Sequence, residues 1–217
     1  MRKLLIASVC ACLVQGISAE EKTVSGKLAV KNPLAAEAEA SFRASFRTDN
    51  PKYWMQRIEQ DEAMKLCGQY KDNPPAAIRQ KIELAQKATI RYPVEGKLIG
   101  SWKEGEKIAA HGRGGHIGFV QPDAPMTPRG GNCYACHELA KKEVAYGTIG
   151  PSLYNFGKIR GYSDDIVKYA YDKIYNSNSF TACTNMPRFG LHHWLTPEEI
   201  THIVAFLMDP ESPVNKD

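Results

Sequence analysis

The sequence predicts a mostly α-helical protein, and three observations lead to this fold class. Residues 76–90 carry apolar side chains at i, i+4, i+7 and i+11, the spacing of one helix face, and two prolines precede them. Residues 196–199 read Thr-Pro-Glu-Glu, which supplies an N-cap, a proline at N1 and an acidic residue at N3. No segment shows a strong strand pattern. The apolar face of the helix that follows is formed by Ile200, Ile203, Val204 and Leu207.

A further helix is expected just after residue 101. Ser101 and Glu104 have the spacing of a capping box, in which each side chain accepts a hydrogen bond from the other residue's backbone N–H. We expect this helix to end near His111. The stretch 112–131 is rich in glycine and proline and has no periodicity, so it is predicted to be a loop.

Residues 1–19 are predicted to be a secretory signal peptide. They have a basic start, a short apolar core and a small-residue end at Ala19, and the core is too short for a permanent bilayer span. Export to the periplasm follows. An alternative is a lipoprotein acylated at Cys10 or Cys12, although neither cysteine has the usual leucine and small residues before it.

The mature chain is expected to have two parts and no nucleic-acid partner. A break near residue 95 separates an N-terminal helical extension, residues 20–95, from a second domain, residues 96–217. The chain has 28 Lys and Arg against 24 Asp and Glu. Removing the two basic residues of the signal leaves 26 against 24, a net charge of about +2 with no basic run.

The string Cys133-Tyr-Ala-Cys136-His137 predicts one covalently bound haem c. Two thiols three residues apart lie almost one helical turn apart, so both can reach one edge of the macrocycle, and His137 can then bind the iron. A redox pair, a half zinc site and a local disulfide are the alternatives. No strand is predicted before Asn132, and no second ligand pair of zinc spacing follows.

Met186 is the preferred second axial ligand of the iron. Pro187 follows it and fixes the backbone of a loop that precedes the terminal helix. Histidine–methionine ligation raises the reduction potential and suits electron acceptance. Met208 is expected to pack in the core instead. The other candidates are Met55, Met64, Met126 and the histidines, of which His192 and His193 flank the same loop.

Residues after the motif are expected to support the haem. The Pro151 carbonyl can accept the other N–H of the His137 imidazole and so fix its orientation. Tyr154 and Phe156 are candidates for the walls of the haem cavity, with ordinary turn and core packing as the alternative.

Cys67 and Cys183 remain after the motif is assigned. An exported protein with an even number of cysteines favours their pairing as a disulfide, which would tie the extension to the loop of Met186. A reactive thiol at Cys67 and thiolate ligation of iron are the alternatives. Sequence spacing does not show whether the two residues are close.

Several stretches together resemble the SoxX family, the monohaem cytochrome c subunits of bacterial SoxAX complexes. The resemblance covers roughly residues 50–215 and rests on an ordered set of segments. These are GEKIAAHGRGG (105–115), GGNCYACHEL (130–139), YGTIGPSLYNFGKIRG (146–161), VKYAYDKIYNSNS (167–179), CTNMPRFG (183–190) and LTPEEITHIVAFLMDPESPVN (195–215).

The resemblance implies a class I cytochrome c domain with an N-terminal helical extension, in a heterodimer with a SoxA-like cytochrome. That complex couples thiosulfate oxidatively to a cysteine of the SoxYZ carrier, with the bond-making expected on the partner subunit. This chain would then be the electron-accepting subunit, passing electrons to a small soluble cytochrome c. By motif match Cys133, Cys136, His137 and Met186 would hold the haem. A free-standing periplasmic electron carrier is the alternative function.

Overall fold

The computed structural model describes residues 33–45, 59–112 and 128–216, and the chain divides into two compact units, residues 1–45 and 46–217. Helix α1 (Pro33–Ser45) belongs to the first unit. In the described part of the second unit the α-helices are α2 (Glu62–Gln69), α3 (Ala76–Lys87), α4 (Trp102–Ala110), α5 (Phe156–Arg160), α6 (Asp164–Tyr175) and α7 (Pro197–Met208). Short 3-10 helices span Cys133–Ala135, Ser177–Ser179 and Pro213–Asn215. The described residues contain no strand, so the predicted mostly α class is confirmed.

Helices α4 and α7 pack against each other at very short range. A Cβ atom added at Gly105 would lie 1.9 Å from the carbonyl oxygen of His202, so no larger residue fits at this crossing. The Gly100 N–H also donates to the Thr201 carbonyl at 3.0 Å. The glycine-rich stretch after α4 therefore does not separate α4 from the C-terminal helix.

The capping box expected at Ser101 is not formed, and that prediction was wrong. Ser101 is the N-cap residue of α4, but its side chain makes no capping hydrogen bond. Its backbone N–H donates instead to Nδ1 of His202 at 2.9 Å, and Glu104 pairs with Lys107. The N–H of Ser101 thus finds its acceptor on α7, whereas the local sequence predicted an acceptor on Glu104.

The capping box predicted for α7 is present. Oγ1 of Thr196 accepts from the Glu199 N–H at 3.1 Å, and the Glu199 carboxylate accepts from the Thr196 N–H at 2.8 Å. The helix ends before Asp209, as expected from the proline that follows. Its apolar residues lie in the main core, and Met208 is buried there with 2% of its surface exposed.

The extension contributes a second, smaller core that includes part of the Met186 segment. Ala63, Cys67 and Ile82 are buried together, and Ala182 and Cys183 pack against them. Helices α2 and α3 therefore lie in the same compact unit as residues 96–216 and directly contact the segment before Met186.

The inward face of α3 differs from the predicted one at a single position. Ile82 is buried as expected, but Ala85 is exposed and Gln86 is half-buried in its place. The Oε1 atom of the Gln86 side chain accepts hydrogen bonds there from residues of the second domain, described below. Apolar periodicity alone does not reveal a polar residue that is buried for this reason.

None of the helices in the described ranges has the length and apolarity needed to cross a bilayer. The predicted signal peptide, residues 1–19, lies outside the described residues, as do Cys10, Cys12, Met55 and Met126. Most of the predicted loop 112–131 also lies outside them, since residues 113–127 are not described.

Candidate haem site

The attachment motif is a single tight turn that holds its two thiols close together. Cys133 begins a short 3-10 helix, and its carbonyl accepts from the N–H groups of Cys136 at 3.1 Å and His137 at 2.9 Å. Asn132 before it has φ 45°, a left-handed conformation that asparagine tolerates better than most residues. Neither cysteine is in a disulfide. The turn thus presents two thiols and the imidazole from within five residues.

The His137 imidazole is oriented by the segment that follows the motif. Its Nδ1 lies 2.7 Å from the Pro151 carbonyl oxygen. A carbonyl can only accept, so Nδ1 carries a proton, and in the neutral ring Nε2 then has its lone pair available for a metal. A Cβ atom added at Gly150 would lie 2.2 Å from Cε1 of His137, so the backbone lies directly against the ring. The ring is therefore held in one tautomer and one orientation.

His137 and Met186 line the same apolar cavity. Cys133 lines it too, whereas the other lining residues have only hydrocarbon side chains: Ala109, Leu139, Leu153, Ile174, Phe189, Ile203, Phe206 and Leu207. An imidazole, a thioether, one thiol and apolar walls fit haem c, whereas Cys136, the second thiol of the motif, is not among the residues that line the cavity. Of the residues just after the motif, Leu153 lines the cavity, whereas Tyr154 and Phe156 were expected to do so. Phe156 lies in the core, and neither aromatic residue lines the cavity.

The electrostatics of Cys133 are unlike those of a redox cysteine. Burial, together with a smaller effect of the nearby Cys136, raises the pKa of its thiol to about 12. Reactive cysteines in redox pairs have lowered pKa values, because the thiolate is the attacking species. The local environment therefore argues against the thioredoxin-like alternative.

Met186 lies in a loop that is tied down on both sides. Its carbonyl accepts from the Ser177 hydroxyl at 2.6 Å, and its N–H donates to Oγ1 of Thr184 at 3.3 Å. Three residues before it, Cys183 forms a disulfide with Cys67, with their Cα atoms 5.4 Å apart. Both sulfur atoms are therefore occupied, which leaves neither as a free thiol nor as a thiolate ligand.

Arg188 anchors the other side of the Met186 loop. Its side chain is buried, with 7% of its surface exposed, and its guanidinium donates to Asp61 at 2.5 Å and to Gln86 at 3.0 Å. Burial pushes the pKa of Asp61 upward, but the hydrogen bond from the Met64 N–H and the positive charge of Arg188 outweigh it and hold the pKa below its ordinary value. The ion pair thus joins the loop to the start of α2.

Asn176 is a third link between the extension and the second domain. It is fully buried, and its amide nitrogen donates to the Gln86 carbonyl at 3.2 Å, Oε1 of Gln86 at 3.0 Å and Oγ1 of Thr89 at 2.9 Å. Sequence reasoning did not single out Asn176, Gln86, Asp61 or Arg188. No local pattern could have done so, because the partners are 87 to 127 positions apart along the chain.

The other ligand candidates are placed differently from Met186. Met208 is buried in the main core, as expected. His192 and His193 do not line the cavity, and both have exposed side chains. Within the described residues, Met186 is therefore the only one of the proposed second ligands that lies with His137 at the cavity.

Comparisons with known proteins agree with this geometry. Residues 129–209 match the family model described as cytochrome c. An uncharacterized lipoprotein of Aquifex aeolicus (strain VF5) is 35% identical over 219 residues, which cover 98% of this chain and 95% of that protein. The chain belongs to the same family as the Aquifex protein and carries a cytochrome c domain.

A cytochrome c domain binds haem c covalently and exchanges electrons with redox partners. The match begins before Cys133 and ends after Met208, so it includes the attachment motif, the Met186 loop and α7. Helices α2, α3 and α4 lie before it. The extension that anchors the Met186 loop is therefore an addition to the part of the chain that the family model describes.

Proposed function

We propose that Cys133 and Cys136 would form the thioether bonds to haem c, and that His137 and Met186 would bind its iron. The main support for this proposal is that His137 and Met186 line one apolar cavity, and that each is held in place by its own hydrogen bonds. When bound, the haem supplies reversible one-electron chemistry. The chain's residues hold its orientation, supply the thioether ligand and exclude water.

The composition of the cavity favours a relay of electrons over bond-making chemistry. Among the described residues, those that line the cavity carry no carboxylate and no hydroxyl group. A general acid or base within reach of a bound substrate is therefore not provided by this lining. The hydrocarbon walls disfavour the extra positive charge of ferric iron, which raises the reduction potential.

The more specific function is that of the electron-accepting subunit of a SoxAX-type complex. This rests on the resemblance of residues 50–215 to SoxX cytochromes. The complex would act as an L-cysteine S-thiosulfotransferase, joining thiosulfate to a cysteine of SoxYZ while two electrons leave. The bond would form at the SoxA-like partner, and this chain would pass the electrons to a small soluble cytochrome c.

The protein would work outside the cytoplasm. The sequence of residues 1–19 and the description of the Aquifex relative as a lipoprotein both support export. The relative's description also favours a second location, a lipid anchor on Cys10 or Cys12. Mass spectrometry of the mature N-terminus separates the two: a chain beginning at Glu20 indicates a periplasmic protein, and an acylated cysteine indicates a tethered one.

Co-purification and stopped-flow spectroscopy test the SoxAX assignment. The tagged protein is isolated from its native cells and should retain a SoxA-like cytochrome in equal amount. The complex, mixed with SoxYZ and thiosulfate, should then reduce the haem of this chain, while either subunit alone should not. A tagged chain that isolates alone from native extract and is reduced by cell cytochromes without thiosulfate would indicate the free-standing carrier.

Axial ligation is tested by substituting the methionine. Met186→Ala should remove the weak long-wavelength band typical of ferric haem with methionine ligation, and the reduced protein should then bind carbon monoxide readily. Met208→Leu is the matched control and should keep the band, because Met208 is a buried core residue away from the cavity. Persistence of the band in Met186→Ala would contradict the proposed ligand.

A further inference from the structure

We propose that the helical extension is a brace that positions Met186 against the haem iron, with Gln86 and Arg188 as positioning residues. The inference rests on the proposed ligation by Met186. The brace is formed by the described residues 61–89, which reach the Met186 loop, residues 182–188, at both of its ends.

The first anchor lies before Met186. Cys183 is bonded to Cys67 of α2, and the neighbouring Ala182 N–H donates to the Glu83 carboxylate of α3 at 3.1 Å. Cys183 has φ 62°, a left-handed conformation that costs a non-glycine residue about 1 kcal/mol or more. The two contacts with the extension hold the chain in this turn, which directs the following residues toward the cavity.

The second anchor lies after Met186 and is ionic. The Arg188 guanidinium is almost completely buried and pairs with Asp61 at the N-terminus of α2. Its position next to Pro187 leaves little backbone freedom between the anchor and the methionine. An unpaired guanidinium could not remain in this site, because burying an uncompensated charge is very unfavourable.

Gln86 connects the two sides of the loop through one side chain. Its Oε1 accepts from Arg188 at 3.0 Å and from Asn176 at 3.0 Å. Asn176 precedes Ser177, whose hydroxyl donates to the Met186 carbonyl. Gln86 therefore holds Arg188, which follows the methionine. It also holds Asn176, the neighbour of the serine that donates to the Met186 carbonyl.

Through these contacts the extension affects the position of the Met186 sulfur and so contributes directly to the electron-transfer site. A thioether is a weak, neutral ligand, so its binding to iron depends on how well the loop is held in place. If the brace loosens, the loop gains conformations in which the sulfur is away from the iron. Carbon monoxide then competes more easily for the open position, and the reduction potential falls.

Two substitutions in the extension, each with a matched control, test the brace in the full-length haem-loaded protein. Asp61→Asn is compared with Glu62→Gln, the next residue on the same helix, whose exposed ion pair with Lys81 at 3.8 Å does not involve the loop. Gln86→Ala is compared with Gln80→Ala, an exposed residue of α3. Measurements are the long-wavelength band, the potential and the rate of carbon monoxide binding, well below the unfolding temperature.

Asp61→Asn and Gln86→Ala should speed carbon monoxide binding about tenfold or more, equivalent to about 1.4 kcal/mol, and should lower the potential. Both controls should match the wild type. If the brace variants unfold at lower temperature but keep the wild-type band, potential and binding rate, the extension is only structural and the proposal is wrong.

Chemical reduction supplies a measurement that needs no variant. The native protein is treated with a thiol-free reductant, the released thiols are blocked with iodoacetamide, and the iron is reoxidised with ferricyanide. Alkylation of Cys67 and Cys183 should weaken the long-wavelength band, whereas an unchanged band would contradict the proposed brace.

Met186→Ala separates the two proposals. Loss of the band in Met186→Ala, with wild-type behaviour in the brace variants, overturns only the brace. Persistence of the band in Met186→Ala overturns the ligation itself.

Discussion

The two sides of the haem cavity are built in opposite ways. His137 is oriented by Pro151, only 14 positions away, and its backbone is fixed within the turn that begins at Cys133. Met186 has nearby hydrogen-bond partners in Ser177 and Thr184, but both ends of its loop are held by partners 99 to 127 positions away, on α2, its N-cap residue and α3. One side is thus defined by local chain geometry, and the other by the tertiary fold.

The positions of His137 and Met186 therefore depend on different parts of the molecule. A local turn retains its geometry as long as its own hydrogen bonds persist, whereas a long-range anchor is lost when any of the packed elements opens. We therefore expect the methionine side to respond to changes in the extension, and the histidine side to respond only to changes nearby. Four predictions test this contrast, in order of decreasing effect.

Removing the disulfide should have the largest effect and should act on the methionine side. The bond closes a loop with a sequence separation of 116, and in the chain-entropy model its loss costs about 4 to 5 kcal/mol of unfolding free energy. Denaturant titration of a Cys67→Ala/Cys183→Ala double variant measures this cost. A stability loss below about 1 kcal/mol would show that the extension contributes little.

Gly150→Ala should disturb the histidine side. The added methyl group would lie 2.2 Å from the imidazole, so the backbone or the ring must shift, at a cost of about 1 to 3 kcal/mol. Thermal unfolding and the proton spectrum of His137 report the change. Gly68→Ala is the control, because a Cβ there meets nothing within 4 Å and alanine favours the helix. Equal stability of the two variants would contradict the tight contact.

Ser177→Ala should destabilise the protein by about 1 kcal/mol, because the Met186 carbonyl loses its hydrogen bond. Ser212→Ala is a close match, since Ser212 is also fully buried and its hydroxyl donates to the Phe206 carbonyl. Both variants should lose similar stability in denaturant. Only Ser177→Ala should weaken the long-wavelength band. An equal effect of both variants on the band would show that the hydrogen bond from Ser177 has no special role in holding Met186.

Acid should weaken the anchor at Arg188 by a small amount. The pKa of Asp61 is lowered in the folded protein from its ordinary value of 3.8, so its contribution to stability is present above that value and is lost as the pH falls through the folded pKa. Wild type should therefore lose more stability than Asp61→Asn between about pH 6 and about pH 3. Equal losses, measured by denaturant titration at both pH values, would show that the pair contributes nothing.

The same contrast explains how much of the site could be predicted from the sequence. The attachment motif, the acceptor at Pro151 and the capping box at Thr196 are short-range patterns, and the sequence indicates them directly. Met186 could be selected because Pro187 follows it. Its surroundings could not be predicted, because the burial of Arg188 depends on a carboxylate 127 positions away.

Two failures of local reasoning have the same physical origin. Ser101 and Glu104 have the correct spacing for a capping box, but α7 supplies the acceptor for the Ser101 N–H instead. Gln86 replaces Ala85 on the inward face of α3, because its Oε1 atom accepts tertiary hydrogen bonds there. In both cases a contact between distant elements overrides a preference that is encoded within a few residues.

The position of the disulfide along the chain has a consequence for the unfolded protein. Cys67 and Cys183 enclose the attachment motif, so residues 133–137 lie within one covalent ring, and Met186 is only three residues outside its closure. The ring limits how far the thioether can diffuse from the haem when the tertiary structure opens. Such tethering raises the effective concentration of the ligand at the metal, so that religation becomes a short-range search within a closed loop.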